Sequence, residues 1–385
     1  MARPSLGIVG YDSYTFVVEN LERSRKFYEE RFDFREVARA DRAHVARHGE
    51  ESIVFGAGDV RVLVVSPLSQ SSRAARYLRR HPAGISTLAF RVRDLDAARA
   101  ELRERGATLL GDDVDDRDAA GGRYRSFDIA TPLGEVVFRF VERADYARFA
   151  PGFDASAPQP AGNRFGFRVV DHVTSNARTM APIIDWYARV LGMERFWDIQ
   201  FHTDDVTPGR EGGTGLKSIV MWEPESGVKF ATNEPLAPYF DESQIAKFVY
   251  DNHGPGIQHL ALAVPDVLAT VEEMRRRQVA FLGTPAAYYR HLPERLQKLG
   301  ITNVREDLAS LERLEVLVDG ADAKYMLQIF LREAAGLYDD ERAGPFFYEI
   351  IQREGDQGFG YGNFRALFES IEREQRARGE GAPPG

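Results

Sequence analysis

The chain has no cysteine in its 385 residues. Disulfides and thiolate ligands are therefore excluded, and any bound metal must use imidazole, carboxylate or water. It has no apolar run approaching the roughly 20 residues needed to cross a bilayer. It has no excess of positive charge: 50 Lys and Arg stand against 59 Asp and Glu, a net charge of −9. That balance argues against general nucleic-acid binding, which needs a basic surface. The opening residues, Met1-Ala2-Arg3-Pro4-Ser5-Leu6-Gly7-Ile8, carry neither an apolar segment nor the cleavage pattern of a secretory leader. These absences predict a cytoplasmic chain without membrane or nucleic acid as partner. The rest of the composition is that of an ordinary globular protein, 43% hydrophobic and 28% charged, and the length allows two or three domains.

Within that ordinary composition lies an internal duplication, which decides the architecture. Gly84-Ile85-Ser86-Thr87-Leu88-Ala89-Phe90 matches Gly256-Ile257-Gln258-His259-Leu260-Ala261-Leu262. The register holds without a gap through Asp94/Asp266, Arg103/Arg275, Arg105/Arg277 and Gly111/Gly283, and it sets Thr87 against His259. A looser match of Thr15-Phe16-Val17 with Asp171-His172-Val173 sets Phe16 against His172. A third, Val137–Arg143 with Phe347–Arg353, sets Arg139 against Glu349. Only the second copy therefore carries two imidazoles and a carboxylate at the matched positions.

Each half reads as strand, helix, strands, then strand, helix, strands. In the first, strands are expected at Tyr14–Val18, Val60–Val65 and Ile85–Val92, with helices at Leu21–Phe32 and Asp94–Arg105 and a hairpin joining Tyr124–Asp128 to Glu135–Glu142. Gly106 is placed to end the second helix. The second half repeats this with strands at Phe167–Val173, Gln258–Val264, Tyr325–Phe330 and Phe346–Arg353 and a hairpin around Pro224-Glu225-Ser226. Its helices are expected at Ala181–Leu191, Ser243–Asn252, Asp266–Arg277 and Asn363–Arg376. The Pro- and Gly-containing stretch 149–163 reads as an extended linker between a first domain, 8–148, and a second, 164–378, and the tail 379–385 as disordered. Paired βαβββ units resemble the vicinal-oxygen-chelate architecture. That resemblance implies an α+β chain of four such modules forming two half-open barrels, with the C-terminal helix over the active one.

His172, His259 and Glu349 each fall inside an expected strand among Val, Leu and Ile. Three polar side chains pointing into a barrel are costly unless partnered, and a divalent metal would partner all three. A lone His on an apolar strand is more often a satisfied core residue than a ligand; the shared register and the third carboxylate favour ligation here. Two His and one carboxylate on one face leave open positions, the arrangement of non-haem Fe(II) oxygenases. Those positions suit an α-keto acid and O2. His44, His48, His81, His202, His253 and His291 lie in polar stretches and read as solvated. His202-Thr203-Asp204 is an H-x-D pair without a matched second His. With Arg139 where the carboxylate would sit, the first barrel cannot hold a cation in the same way and reads as a structural partner.

The C-terminal stretch Phe346-Phe347-Tyr348-Glu349-Ile350-Ile351-Gln352-Arg353, followed by Gly358-Phe359-Gly360-Tyr361-Gly362-Asn363-Phe364, strongly resembles the 4-hydroxyphenylpyruvate dioxygenase family. So do Asp171-His172-Val173, Asn233-Glu234-Pro235, Ser243-Gln244-Ile245, Gly256-Ile257-Gln258-His259 and Leu327-Gln328-Ile329-Phe330. The resemblance implies Fe(II) held by His172, His259 and Glu349, with 4-hydroxyphenylpyruvate and O2 converted to homogentisate and CO2 by oxidative decarboxylation, ring hydroxylation and side-chain migration. It also implies a homo-oligomer, dimer or tetramer. Gln258 and Gln328 join the catalytic group. Ser218, Asn233 and Gln244 are neutral polar groups suited to the substrate's phenol and carboxylate, and Phe330, Phe359 and Phe364 are suited to its ring, with Asn363 beside them. Gly358 and Gly360 flank Phe359 in a turn able to aim it inward. Two departures from the family pattern concern loop geometry and the entrance: Ala231 where Pro is usual, and a long segment 331–345. The rival readings are a 4-hydroxymandelate synthase and a glyoxalase-type metal isomerase. The isomerase usually needs a second carboxylate ligand, which Phe16, Thr87 and Arg139 do not supply.

Overall fold

In the computed structural model the described residues are 4–156, 162–202, 214–237, 240–284 and 286–366. The first half forms strands β1 (Ile8–Val17), β2 (Arg35–Ala40), β3 (Glu50–Ala57), β4 (Val60–Pro67), β5 (Gly84–Val92), β6 (Leu109–Arg117), β7 (Arg123–Ala130), β8 (Val137–Ala144) and β9 (Phe153–Ala155). The second forms β10 (Val170–Asn176), β11 (Glu194–His202), β12 (Gly215–Trp222), β13 (Lys229–Pro235), β14 (Gly256–Ala263), β15 (Leu317–Ala321), β16 (Lys324–Phe330) and β17 (Phe347–Glu354). Strand order is β6-β7-β8-β5-β1-β4-β3-β2-β9 in one sheet and β11-β12-β13-β10-β14-β17-β16-β15 in the other. In each sheet two βαβββ units meet edge to edge, at β1–β5 and at β10–β14, where both pairs run antiparallel. The expected duplicated α+β fold of two curled sheets is the one observed.

The helices follow from local signals repeated in both halves. Asp94 caps Leu95–Glu104 by accepting the Ala97 N–H at 2.9 Å, and Asp266 caps Val267–Arg276 by accepting that of Ala269 at 2.9 Å. Gly106 ends the first of these at φ +84°, whereas Gln278 takes the matching left-handed position at φ +62°. The helices expected at Leu21–Phe32 and Ala181–Leu191 both begin as α-helix and finish in a π-type turn, Phe27–Arg31 and Tyr187–Leu191. The connector 149–163 is no free spacer, because Phe153–Ala155 pairs with β2 as the sheet's edge. Of the expected terminal helix, residues 361–366 are helical; its remainder and the tail 379–385 lie outside the described residues. So do Thr203 and Asp204 of the H-x-D pair.

Two readings of the sequence are corrected. The residue facing His172 in the duplicated register is Ser13, not Phe16: Ser13 pairs with Ala89 just after a bulge, as His172 pairs with Ala261 just after the same bulge. The extra residue of a bulge shifts register without leaving a periodic trace. His81 is buried, not solvated, with its Nδ1 2.6 Å from the Asn252 carbonyl; its loop is polar but covered by the second half. The long segment 331–345 docks on the first half through the Ala83 N–H to Arg342 carbonyl bond (2.9 Å) and the Arg23–Asp340 ion pair (2.7 Å).

One apolar cluster runs through both halves. At its centre Phe138 is fully buried, with ring centroids of Phe90 at 5.1 Å and Phe230 at 5.5 Å. Phe138→Ala is expected to cost about 3–5 kcal/mol, the usual range for emptying such a site, read from urea denaturation. A loss well under 1 kcal/mol would mean that the halves do not share this core.

Candidate metal centre

His172 lies on β10, His259 on β14 and Glu349 on β17, adjacent strands at the middle of the second sheet. Their ligand atoms all lie within 4.8 Å of one another, and all three residues are buried. His172 Nε2 is 3.2 Å and His259 Nε2 is 3.4 Å from Glu349 Oε2. Among the described residues this is the one such group of three. Ser13, Thr87 and Arg139 occupy the equivalent positions of the first barrel, where Arg139 is held by Asp128 through two bonds of 2.7 and 2.9 Å. An ion pair fills the place of the metal there.

Each ligand is oriented by a neighbour, as metal ligands need to be. His172 Nδ1 lies 2.9 Å from Asp171 Oδ1, and the bulge at 170–172 is what brings that carboxylate round to the imidazole. Asp171 in turn receives Arg353 Nε and Nη2, both at 2.6 Å. His259 Nδ1 lies 3.1 Å from Gln258 Oε1, and Gln258 donates to Gln244 Oε1 at 3.4 Å. Gln258 stands at a bulge between the Thr174–His259 and Ser175–Ile257 pairs. Gln328 Nε2 donates to Glu349 Oε1 at 2.8 Å, Asn363 Nδ2 donates to Gln328 Oε1 at 2.8 Å, and the Tyr288 hydroxyl is 2.7 Å from Asn363 Oδ1. With both Nδ1 atoms engaged, both Nε2 atoms are left to face a metal. The donor set therefore fits a divalent cation with a preference for nitrogen and oxygen.

The charges agree. Burial alone would raise the Glu349 pKa, but the two imidazoles, His172 foremost, bring it down to about 2. Burial would lower that of His172, yet Glu349 and Asp171 raise it overall. Burial does lower that of His259. Of the two imidazoles His172 is thus the one that holds a proton more readily in the metal-free chain, and a metal must displace it. Affinity for a divalent ion is expected to rise with pH below the raised His172 pKa, by up to about tenfold per unit for one proton. Titration calorimetry with Co(II) between about pH 6 and 8 reads this, and a flat profile would contradict the protonation assigned here.

Around the triad the structure gathers most of the residues singled out from the sequence. Phe359 is buried with its ring 4.6 Å from that of His172, and Trp197 stacks on it at 5.9 Å. Phe364 packs on Trp197, and Phe330 lies 5.9 Å from His259. Gly360 is required for this turn: its φ is +65°, and a Cβ would come within 2.6 Å of that of Asp319. Ser218 and Asn233 face each other across β12–β13, and Asn233 faces Asn176 across β10–β13. Asn176 lies four residues beyond His172, on the same face of β10 and about 13 Å along it. Asn233 Nδ2 donates to Asn176 Oδ1 at 2.9 Å, but Asn233 Oδ1 and Ser218 Oγ are buried without a partner. Such orphaned groups call for a ligand. Gln244 is buried rather than on a helix surface, and Asn363 has both ends of its amide engaged by Gln328 and Tyr288. Ala231 lies on the wall against Phe359.

Contributors missed in the sequence include Asp171, Arg353, Trp197, Asn176, Tyr288 and Phe347, the last stacked on His259 at 4.9 Å. Arg353 shares the face of Glu349 at a spacing of four, so strand alternation does point to it. Nothing in the local sequence singles out Trp197.

The Glyoxalase/Bleomycin resistance protein/Dioxygenase superfamily matches residues 14–127 and again residues 169–292. The chain is 34% identical over 378 residues to a 4-hydroxyphenylpyruvate dioxygenase of Dictyostelium discoideum, covering 96% of this chain and 99% of that one. It is 34% identical over 400 residues to the Caenorhabditis elegans 4-hydroxyphenylpyruvate dioxygenase, covering 98% and 95%. Among solved structures, a triple mutant of 4-hydroxymandelate synthase from Streptomyces coelicolor superposes with a TM-score of 0.79 at 26% identity, covering 96% of this chain and 99% of that one. A buried two-His, one-Glu centre in the second of two duplicated barrels, together with identity of this extent from end to end, places the chain in the 4-hydroxyphenylpyruvate dioxygenase family.

Proposed function

We propose that this protein converts 4-hydroxyphenylpyruvate and O2 to homogentisate and CO2. One oxygen atom of O2 enters the ring and the other the new carboxylate. The observation that carries this reading is the buried His172–His259–Glu349 centre, in a chain 34% identical to such dioxygenases over nearly its whole length. Fe(II), when bound, supplies the Lewis acidity and redox chemistry that O2 activation needs.

The chain's own residues do the rest. His172 and His259 present Nε2, and Glu349 supplies the single negative charge, leaving a centre of net positive charge for an α-keto acid. Gln258 and Gln328 hold His259 and Glu349 without adding charge. Ser218 and Asn233, whose free atoms lie along the same wall, receive the polar end of the substrate, with Gln244 behind Gln258. Phe330, Phe359 and Phe364 enclose the ring, while Asn363 positions Gln328. Except for the half-buried Phe364 this set is buried, which limits the access of water to the reaction. We further read residues 8–148 as a structural domain and 164–378 as the catalytic one, in a cytoplasmic homo-oligomer. Among the described residues no helix is long and apolar enough to cross a membrane.

A 4-hydroxymandelate synthase is the second reading, favoured by the structural likeness at a TM-score of 0.79; Asn233 speaks for the dioxygenase, because the synthase tends to carry an aliphatic residue there. Anaerobic reconstitution with Fe(II), then addition of substrate and O2 with product identification by mass and chromatography, tests both. Homogentisate with one CO2 per O2 supports the proposal. Hydroxymandelate would move hydroxylation to the benzylic carbon. Absence of turnover, with another metal held tightly, would return the chain to the isomerases.

A further inference from the structure

We propose that Arg353 is a positioning residue that ties the C-terminal loop 355–360 to the metal ligand His172, so that metal binding and ordering of this loop favour each other. The inference rests on the metal-centre reading above. Arg353 gives Nε and Nη2 to Asp171, the carboxylate that faces His172 Nδ1. It gives Nη1 to two loop carbonyls, those of Asp356 at 3.0 Å and Gly358 at 2.9 Å. The residue after Gly358 is Phe359, whose ring rests against His172. The imidazole is thus held by Asp171 at its Nδ1 and by Phe359 on its ring, and one guanidinium anchors both. A guanidinium is a rigid planar fork, so a displacement of Asp171 is carried to the loop carbonyls.

The first half separates the general part of this arrangement from the special part. Arg143 holds Asp12 there by Nε at 2.8 Å and Nη2 at 3.0 Å, at the positions matching Arg353 and Asp171. Its Nη1 goes to the Arg148 carbonyl at 3.4 Å, and Ser13 stands where His172 would. The ion pair is common to both barrels. A bond to the following loop is common too, the Arg143 guanidinium lying 5.6 Å from the Phe149 ring; particular to the second barrel is that the loop's ring, Phe359, rests on a metal ligand. The loop has a second tether in Lys229, buried beneath it, whose Nζ donates to the Gln357 carbonyl at 3.1 Å.

Coupling of this kind is reciprocal, which gives a test in both directions. Hydrogen exchange of peptides spanning 355–360 is measured with and without Co(II), alongside the Co(II) absorption spectrum and affinity. In the wild type, Co(II) is expected to slow exchange of the loop about tenfold. Asp171→Asn touches no loop atom, yet is expected to abolish that slowing while weakening Co(II) about 10- to 100-fold, the range for partners of metal ligands. Arg353→Lys, which keeps the charge and loses the fork, is expected to do the same. A merely structural ion pair would speed exchange equally with and without metal and leave the Co(II)-dependent difference intact, which overturns the proposal. Should Asp171→Asn fail to fold, Lys229→Met serves from the other side: it loosens the loop without touching His172 and is expected to weaken Co(II) several-fold, and an unchanged affinity overturns the coupling. Failure of the wild type to bind Co(II) at all would instead sink the metal-centre reading.

Discussion

Glu349→Gln is expected to leave a folded chain that binds Fe(II) more than about 100-fold more weakly and turns over 4-hydroxyphenylpyruvate only at background. Loss of a partner behind a metal ligand already costs about 10- to 100-fold in affinity, and here the anionic ligand itself is removed. The substitution preserves shape, so it tests charge and coordination rather than volume. Iron retained after desalting, together with the rate of homogentisate formation, reads both effects, and undiminished values would defeat the triad. The wild type is expected to hold one iron per chain, because Arg139 puts a positive charge at the matching place in the first barrel.

The same substitution has a signature in the metal-free protein. The Glu349 pKa lies at about 2 when folded, below its ordinary 4.5. A carboxylate depressed by folding contributes stability that is present above its unfolded pKa and is lost as pH falls through the folded one. Metal-free wild type is therefore expected to lose stability from about pH 4.5 down towards 2, and Glu349→Gln to lack that component. Urea midpoints across this range compare the two.

Asn233→Leu is expected to lower kcat/KM for 4-hydroxyphenylpyruvate by about 10- to 100-fold with Fe(II) affinity unchanged. The Asn233 Oδ1 and Ser218 Oγ atoms are buried and unpartnered in the free protein. A polar substrate atom that meets them gains a bond no water need surrender, and leaving such a group unpaired costs about 1–3 kcal/mol. The substitution also strands Asn176 Oδ1, so thermal stability is measured in parallel, and Asn233→Asp serves as a variant that keeps an acceptor. A drop in metal affinity equal to the drop in kcat/KM would place Asn233 in the metal centre rather than the substrate wall. A shift of product towards hydroxymandelate would show that this side chain steers the site of hydroxylation.

Much of this molecule could be read from the chain alone, for reasons that differ by element. The strands β4, β5, β8, β14 and β17 announce themselves by β-branched and apolar runs, and the helices after β5 and β14 by Asp caps with apolar spacing. The duplication at Thr87/His259 and Arg139/Glu349 is preserved residue for residue, because both modules pair the same strands in the same register. Strands such as β2, β6 and β11 were not legible: they carry Arg, Glu and Asp on an exposed face, and only pairing with a neighbour makes them strands.

The sequence by itself determined the fold class, the two-copy organisation, and the two His and one Glu of the second copy that the structure brings together. Those are properties of residue identity at repeating positions, and repetition is visible in one dimension. Only the tertiary structure decided that Ser13 rather than Phe16 faces His172, that His81 is enclosed, that Asn363 supports Gln328, and that Arg353 reaches Asp171 and the Phe359 loop at once. Each of these depends on a bulge, a covering segment or the end of a long side chain. Such contacts join residues as much as 182 positions apart, and local periodicity carries no trace of them.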